Sequence, residues 1–168
     1  MPIATNVSAM LSRELRALRR ELESYEREDD IWRLTPPISN SAGTLTLHLV
    51  GNLRYYVGAR LGRSGYVRDR DLEFRDRGVP REKLLALVDT AIREVEDALS
   101  HVTEAQLDAP FPEPVAKMHL NSGDFLMHLA VHAAYHLGQV DYHRRLVTGD
   151  AKTVGAVSPT ELSTARPA

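Results

Sequence analysis

The 168 residues carry 21 basic and 23 acidic side chains, a formal net charge of −2, so no basic excess recommends a nucleic-acid partner. Cysteine is absent, which excludes disulfides, thiolate metal sites and a cysteine nucleophile and leaves His, Asp and Glu as metal ligands, a set suited to zinc, nickel or iron. No run reaches the ~20 apolar residues of a membrane span, and MPIATNVSAM lacks the apolar centre of a signal peptide; a cytoplasmic, single-domain protein with a real core is expected.

Ser8 to Tyr25 predicts a first helix, because Leu11, Leu15, Leu18, Leu22 and Tyr25 recur at steps of three and four. The arginines and glutamates on its other faces are expected to be solvated. Glu28 to Ser41 reads as a loop on its two prolines, two serines and asparagine. Trp32, the one tryptophan, either packs this loop onto the rest of the fold or walls a ligand pocket. A second helix starts at Ser41 or Gly43 and runs to about Leu61, with Leu45, His48, Asn52, Tyr55 and Ala59 on one stripe. His48 is there either a satisfied core histidine or a ligand in need of companions. Gly62 to Pro80 is longer than the usual helix–helix link, which suggests either a functional, partner-contacting loop or a solvated crossover. A short extended piece is expected near Tyr66–Arg68, and Tyr66, Arg68 and Arg70 are candidates to touch an anionic ligand at a pocket mouth. Arg81 to Val102 predicts a third helix through Leu85, Val88, Ile92, Val95, Leu99 and Val102, with Pro80 at its start. His101 at its end is expected to face solvent. Thr103 to Leu120, with prolines at 110, 112 and 114, is a connector. Asn121 or Ser122 caps a fourth helix that runs to about Val147, with Asp124 in the first turn and Gly149 behind the last. The expected architecture is an all-α four-helix bundle over residues 1–150 with long connectors, followed by a loosely held tail over 151–168.

The chemistry gathers in Asn121–Arg145, which holds four of the seven histidines, His128, His132, His136 and His143. Positions four apart on a helix lie about 40° apart on one face. His132 and His136 therefore point at one spot, on or beside the buried stripe, and two readings stay open. The pair binds a metal ion, or it is a neutral hydrogen-bonded pair. The spacing is not that of a zincin, which needs glutamate directly after the first histidine; that residue here is Ala133.

The string His128-Leu-Ala-Val-His132-Ala-Ala-Tyr-His136-Leu-Gly138-Gln139 resembles the last-helix signature of the DinB-like superfamily, roughly H-x-x-x-H-x-x-[YH]-H-x-G-Q. Leu45–Leu61 resembles that family's second helix with its single inward histidine. Leu34–Ser41 and Gly65–Phe74 are similar to segments of one DinB-like subgroup. The resemblance spans about Met10 to Asp150. It implies a four-helix bundle, a homodimer, and a divalent metal (zinc, nickel or iron) held by His48, His132 and His136 with positions left open for water or substrate. It also implies a low-molecular-weight thiol as substrate, since relatives include mycothiol- and bacillithiol-dependent transferases and isomerases. Two positions depart from the family pattern: Ala133 stands where many relatives have an acid, and Leu137 where many have arginine. His128, Gln139 and Asn52 are candidates to support the ligands by hydrogen bonds, with His128 read first as a core residue and Gln139 and Asn52 equally readable as packing residues of the bundle. Trp32, Tyr66 and Arg68 are the substrate-pocket candidates, and no residue is assigned as catalytic. Three functions follow: a metal-dependent thiol transferase or related isomerase, a non-catalytic metal-binding or interaction scaffold, and a structural bundle whose histidines hold no metal.

Overall fold

The structure is a computed structural model that describes residues 3–167. Four long helices carry it: α1 (Ile3–Glu23), α2 (Ala42–Leu53), α4 (Arg81–Ser100) and α6 (Ser122–Thr148). Two short helices lie in the connectors, α3 (Arg70–Arg75) and α5 (Glu104–Asp108), and the described residues contain no strand. α1 packs on α4 and α6, and α2 packs on the same two. α2 and α6 are thus neighbours around the bundle, which sets the inward row of α2 against the histidine face of α6.

The elements start and stop where the sequence supplies the chemistry. Ser41 Oγ accepts a hydrogen bond from the Thr44 backbone N–H at 3.2 Å and caps α2. α2 does not end at Leu53 but widens into a π-helical turn over Arg54–Ala59, with Arg60 N–H donating to the Tyr55 carbonyl. Thr103 and Gln106 form a reciprocal capping box on α5. Asn121 sits at the N-cap of α6 without a side-chain cap bond, and Gly149 closes that helix in the left-handed region at φ 72°.

The core is the predicted one in outline, with three differences. On α4 the deepest line is Leu84, Val88, Ala91, Val95 and Ala98, so Leu85, Ile92 and Val102 flank it rather than lead it. On α1 the charges are not all solvated: Arg13, Glu14 and Glu21 are buried. Glu21 pairs with Arg144, a guanidinium with no solvent exposure at all. The third difference is the C-terminal segment. It is laid along α1 instead of hanging loose: Arg20 Nε donates to the Val154 carbonyl at 2.9 Å, Arg16 pairs with Glu161, and Ser163 Oγ donates to Asn6. Its anchors are arginines and backbone carbonyls, which leave no hydropathy pattern to read.

Candidate metal centre

α2 contributes His48 from its inward face, and α6 contributes His132 and His136, half-buried at the edge of its apolar stripe. One ring nitrogen from each lies within 4.8 Å of the other two. The Nε2 atom of His132 is 3.1 Å from His136 Nε2 and 3.4 Å from His48 Nε2.

What lies behind the rings determines which nitrogens carry protons. His48 Nδ1 is 3.0 Å from Glu73 Oε2, a carboxylate that only accepts, so Nδ1 donates. His136 Nδ1 donates to Gln139 Oε1 at 2.6 Å. Both rings, when neutral, therefore present a bare Nε2 lone pair to the same point. His132 Nε2 can donate to at most one of them. Two of the rings are held neutral: His132 is pushed down to about 4, first by burial and then by His136, His48 and His128, and His136 is lowered by burial. Converging neutral imidazole lone pairs repel unless a cation sits between them. The donor set fits a divalent transition metal with three nitrogen ligands, two of them on half-buried rings.

Glu73 is the residue the sequence reading missed. It sits on α3, inside the connector, where only a possible extended piece was expected. Asp69 caps that helix through the Leu72 N–H, and α3 lays Glu73 and the ring of Phe74 against His48, the latter at 4.9 Å between centroids. Gly51 makes the approach feasible, since a Cβ there would fall 2.0 Å from Glu73 Oε1. Burial alone would raise the Glu73 carboxyl, but the hydrogen bonds from Arg68 and His48 bring it below the ordinary carboxylate value. The only hint in sequence was the connector's balance of acids and arginines, which implies paired charges without saying which.

The other candidates fall out as follows. Arg68 is engaged by Glu73: its Nε and Nη2 donate a two-point bond to that carboxylate at 2.6 and 2.8 Å. Tyr66 lines a cleft of about 320 Å³ with Leu47, Val50, Leu72 and Lys83, under the guanidinium of Arg54, on a wall that does not include the histidines. Arg70 lies over the Phe74 ring. Trp32 packs on Gly43 and donates Nε1–H to the Val79 carbonyl, so it fastens its loop to the bundle. His128 is exposed rather than core, and stacks near-parallel on His132 with centroids 6.1 Å apart. Gln139 supports His136 as described. Asn52 is buried one turn beyond His48, and its Oδ1 finds no partner among the described residues, as is also true of His132 Nδ1. Ala133 and Leu137 are both buried in the core, so the two departures from the family pattern alter packing rather than the ligands.

The family model for mycothiol S-transferases matches residues 6–149. The chain belongs to this DinB-like family. No curated protein matches it. All three converging histidines and Glu73 lie inside the matched span.

For this member of the mycothiol S-transferase family, Glu73→Gln is expected to keep the acceptor for His48 Nδ1–H but lose the charge that raises ligand basicity. Outer partners of this kind are worth about 10–100-fold in metal affinity. Competition against a chromogenic chelator should show a loss in that range, and unchanged affinity would remove Glu73 from the centre.

The fourth histidine of α6, His143, is not part of the cluster. Its Nε2–H donates to the Arg33 carbonyl at 2.8 Å, so its Nδ1 accepts from the Tyr25 hydroxyl at 2.7 Å. Burial lowers its pKa against the pull of that carbonyl. Because the folded value lies below the unfolded ~6.5, the contribution to stability is complete above ~6.5 and is lost as pH falls through the folded value. In metal-free protein the urea midpoint should fall on acidification from about pH 7 to about pH 5, and less steeply in His143→Gln.

Proposed function

We propose that the protein is a cytoplasmic, metal-dependent thiol transferase, in which His48, His132 and His136 hold one zinc, nickel or iron ion and a low-molecular-weight thiol of the mycothiol class is the sulfur substrate. The observation that supports this best is the convergence of three imidazole Nε2 atoms at 3.1 and 3.4 Å, with His132 and His136 only half-buried. When bound there, a divalent cation supplies the positive charge that lowers a thiol's pKa toward neutrality.

The rest of the work belongs to the chain. Glu73 and Gln139 accept the Nδ1 protons of His48 and His136 and so hold both rings with Nε2 aimed inward. Arg68 pins Glu73 with two hydrogen bonds and keeps it ionised. The apolar wall of Phe74 beside His48 limits water on that side. The chain has no cysteine, so the nucleophilic sulfur must arrive with the substrate.

The test is consumption of mycothiol with chlorodinitrobenzene as the electrophile probe, in untagged protein. Turnover that is lost on chelation, restored by zinc or nickel and absent in His132→Ala supports the reading. Turnover that survives both treatments overturns it. A bound metal that raises the melting temperature without turnover for any thiol would instead identify a metal-stabilised scaffold.

A further inference from the structure

α3 rests on α2, with Glu73 and Phe74 against His48, and the cleft of about 320 Å³ that Tyr66 lines runs between α3 and α4. α3 lines it with Leu72 and Asp76, α4 with Lys83 and Leu87, and α2 with Leu47 and Val50. Glu73 lines it as well, and the same carboxylate accepts His48 Nδ1–H at 3.0 Å. Most of the lining is apolar, yet Leu72 is 38% exposed and Val67, in the connector, 86%. A concave apolar surface of this size with a few polar groups has the form of a small-molecule site.

The polar groups narrow the ligand. Arg54 spends Nε and Nη2 on Glu94, Asp69 caps α3, and Glu73 is bound by Arg68 and His48. The ion pairs of the described residues on this wall run through Arg54–Glu94 and Arg68–Glu73, and include neither Lys83 nor Asp76. Lys83 stands in the first turn of α4 and Asp76 at the C-cap of α3. Each is thus at the end of a helix that disfavours its charge. An ammonium and a carboxylate, both unpaired, beside an apolar floor are complementary to a molecule with the opposite two charges and an apolar body. A ligand with one charge leaves the other unanswered.

We propose that this cleft binds a small zwitterion with an apolar side chain, an apolar α-amino acid, with its carboxylate on Lys83 and its ammonium on Asp76. Such a ligand bridges α3 to α4, and α3 is the element that presses Glu73 against His48. Occupancy of the cleft therefore steadies the support of the candidate metal centre from behind. The inference does not rest on the thiol chemistry, and its test uses neither turnover nor metal.

The single tryptophan supplies the readout, because Trp32 Nε1–H donates to the carbonyl of Val79, a residue of the cleft wall. In the full chain L-leucine should change Trp32 fluorescence saturably, with a Kd of about 1 mM or tighter. Glycine, without an apolar body, should not. Leucinamide and N-acetyl-leucine each lack one charge and should bind about tenfold more weakly than L-leucine. Lys83→Gln should weaken L-leucine by about that factor and leave leucinamide unchanged, since the amide offers no carboxylate to hold. Amide hydrogen exchange over residues 70–76 should slow when L-leucine is bound. No saturable binding, by fluorescence or by equilibrium dialysis of labelled L-leucine, overturns the proposal. So does equal binding of L-leucine and its two blocked forms, which would reduce the cleft to a nonspecific apolar surface, or binding that leaves exchange in α3 unchanged.

Discussion

His132→Ala should reduce the metal content of the untagged protein from about one ion per chain to nearly none. His132 is the centre of the cluster: its Nε2 is the atom from which the other two are measured, at 3.1 and 3.4 Å. Without it two imidazoles remain, on two different helices, and neither is a sufficient site. Loss of a supporting group alone costs about 10–100-fold in affinity, so loss of a ligand should exceed the upper end of that range. The fold should survive. The ring is half-buried at the edge of the bundle, and its Nδ1 has no hydrogen-bond partner among the described residues to lose. Melting curves with and without chelator separate the two effects. The wild type should lose stability on chelation, because a ligand that binds only the folded state stabilises it by mass action. The variant should show no chelator effect and should melt close to the metal-free wild type. A variant that still carries one equivalent of metal would show that the cluster is not the site.

Glu21→Ala should be the most destabilising single change in the bundle outside its apolar core. It leaves Arg144 with no exposure and without its main counter-charge. The remaining contacts of that guanidinium are the carbonyls of Asp150 and Lys152, and Asp141 and Asp150 at 3.5 and 3.6 Å. Breaking a buried pair from one side costs about 3–5 kcal/mol, a large share of the ~5–15 kcal/mol that holds a domain together. At about 2–4 °C per kcal/mol for a chain of this size, the melting temperature should fall by roughly 6–20 °C. The double variant Glu21→Leu/Arg144→Met should recover much of the loss, because replacing both partners with apolar groups removes the unpaired charge. A loss of less than ~1 kcal/mol in Glu21→Ala would mean that water reaches Arg144 and solvates it. The same arginine holds the start of the C-terminal segment through two carbonyls, so proteolysis after residue 150 should become faster in the single variant.

These two expectations divide along what could be read from residues in order. The stripes of α1, α2 and α6, the cap at Ser41, the αL stop at Gly149 and the pairing of His132 with His136 depend only on residues within a turn or two of each other. Helical spacing and cap chemistry are local, so the sequence by itself determined the four long helices and two of the three histidines of the candidate metal centre. Its likeness to a known helix signature added His48. The partners of the buried charges were not legible, because an ion pair has no periodicity. Glu73 reaches His48 across 25 positions and Glu21 reaches Arg144 across 123. Each depends on where the chain returns in space. That path also brought Arg68 onto Glu73, placed Tyr66 in a cleft on the far side of Glu73 from the histidines, and bound the C-terminal segment to α1 through arginines. Local spacing determines which helices form and which way their rings point. Only the packing of one helix against another decides which charge stands behind each ring, and so which nitrogen is free to bind a metal.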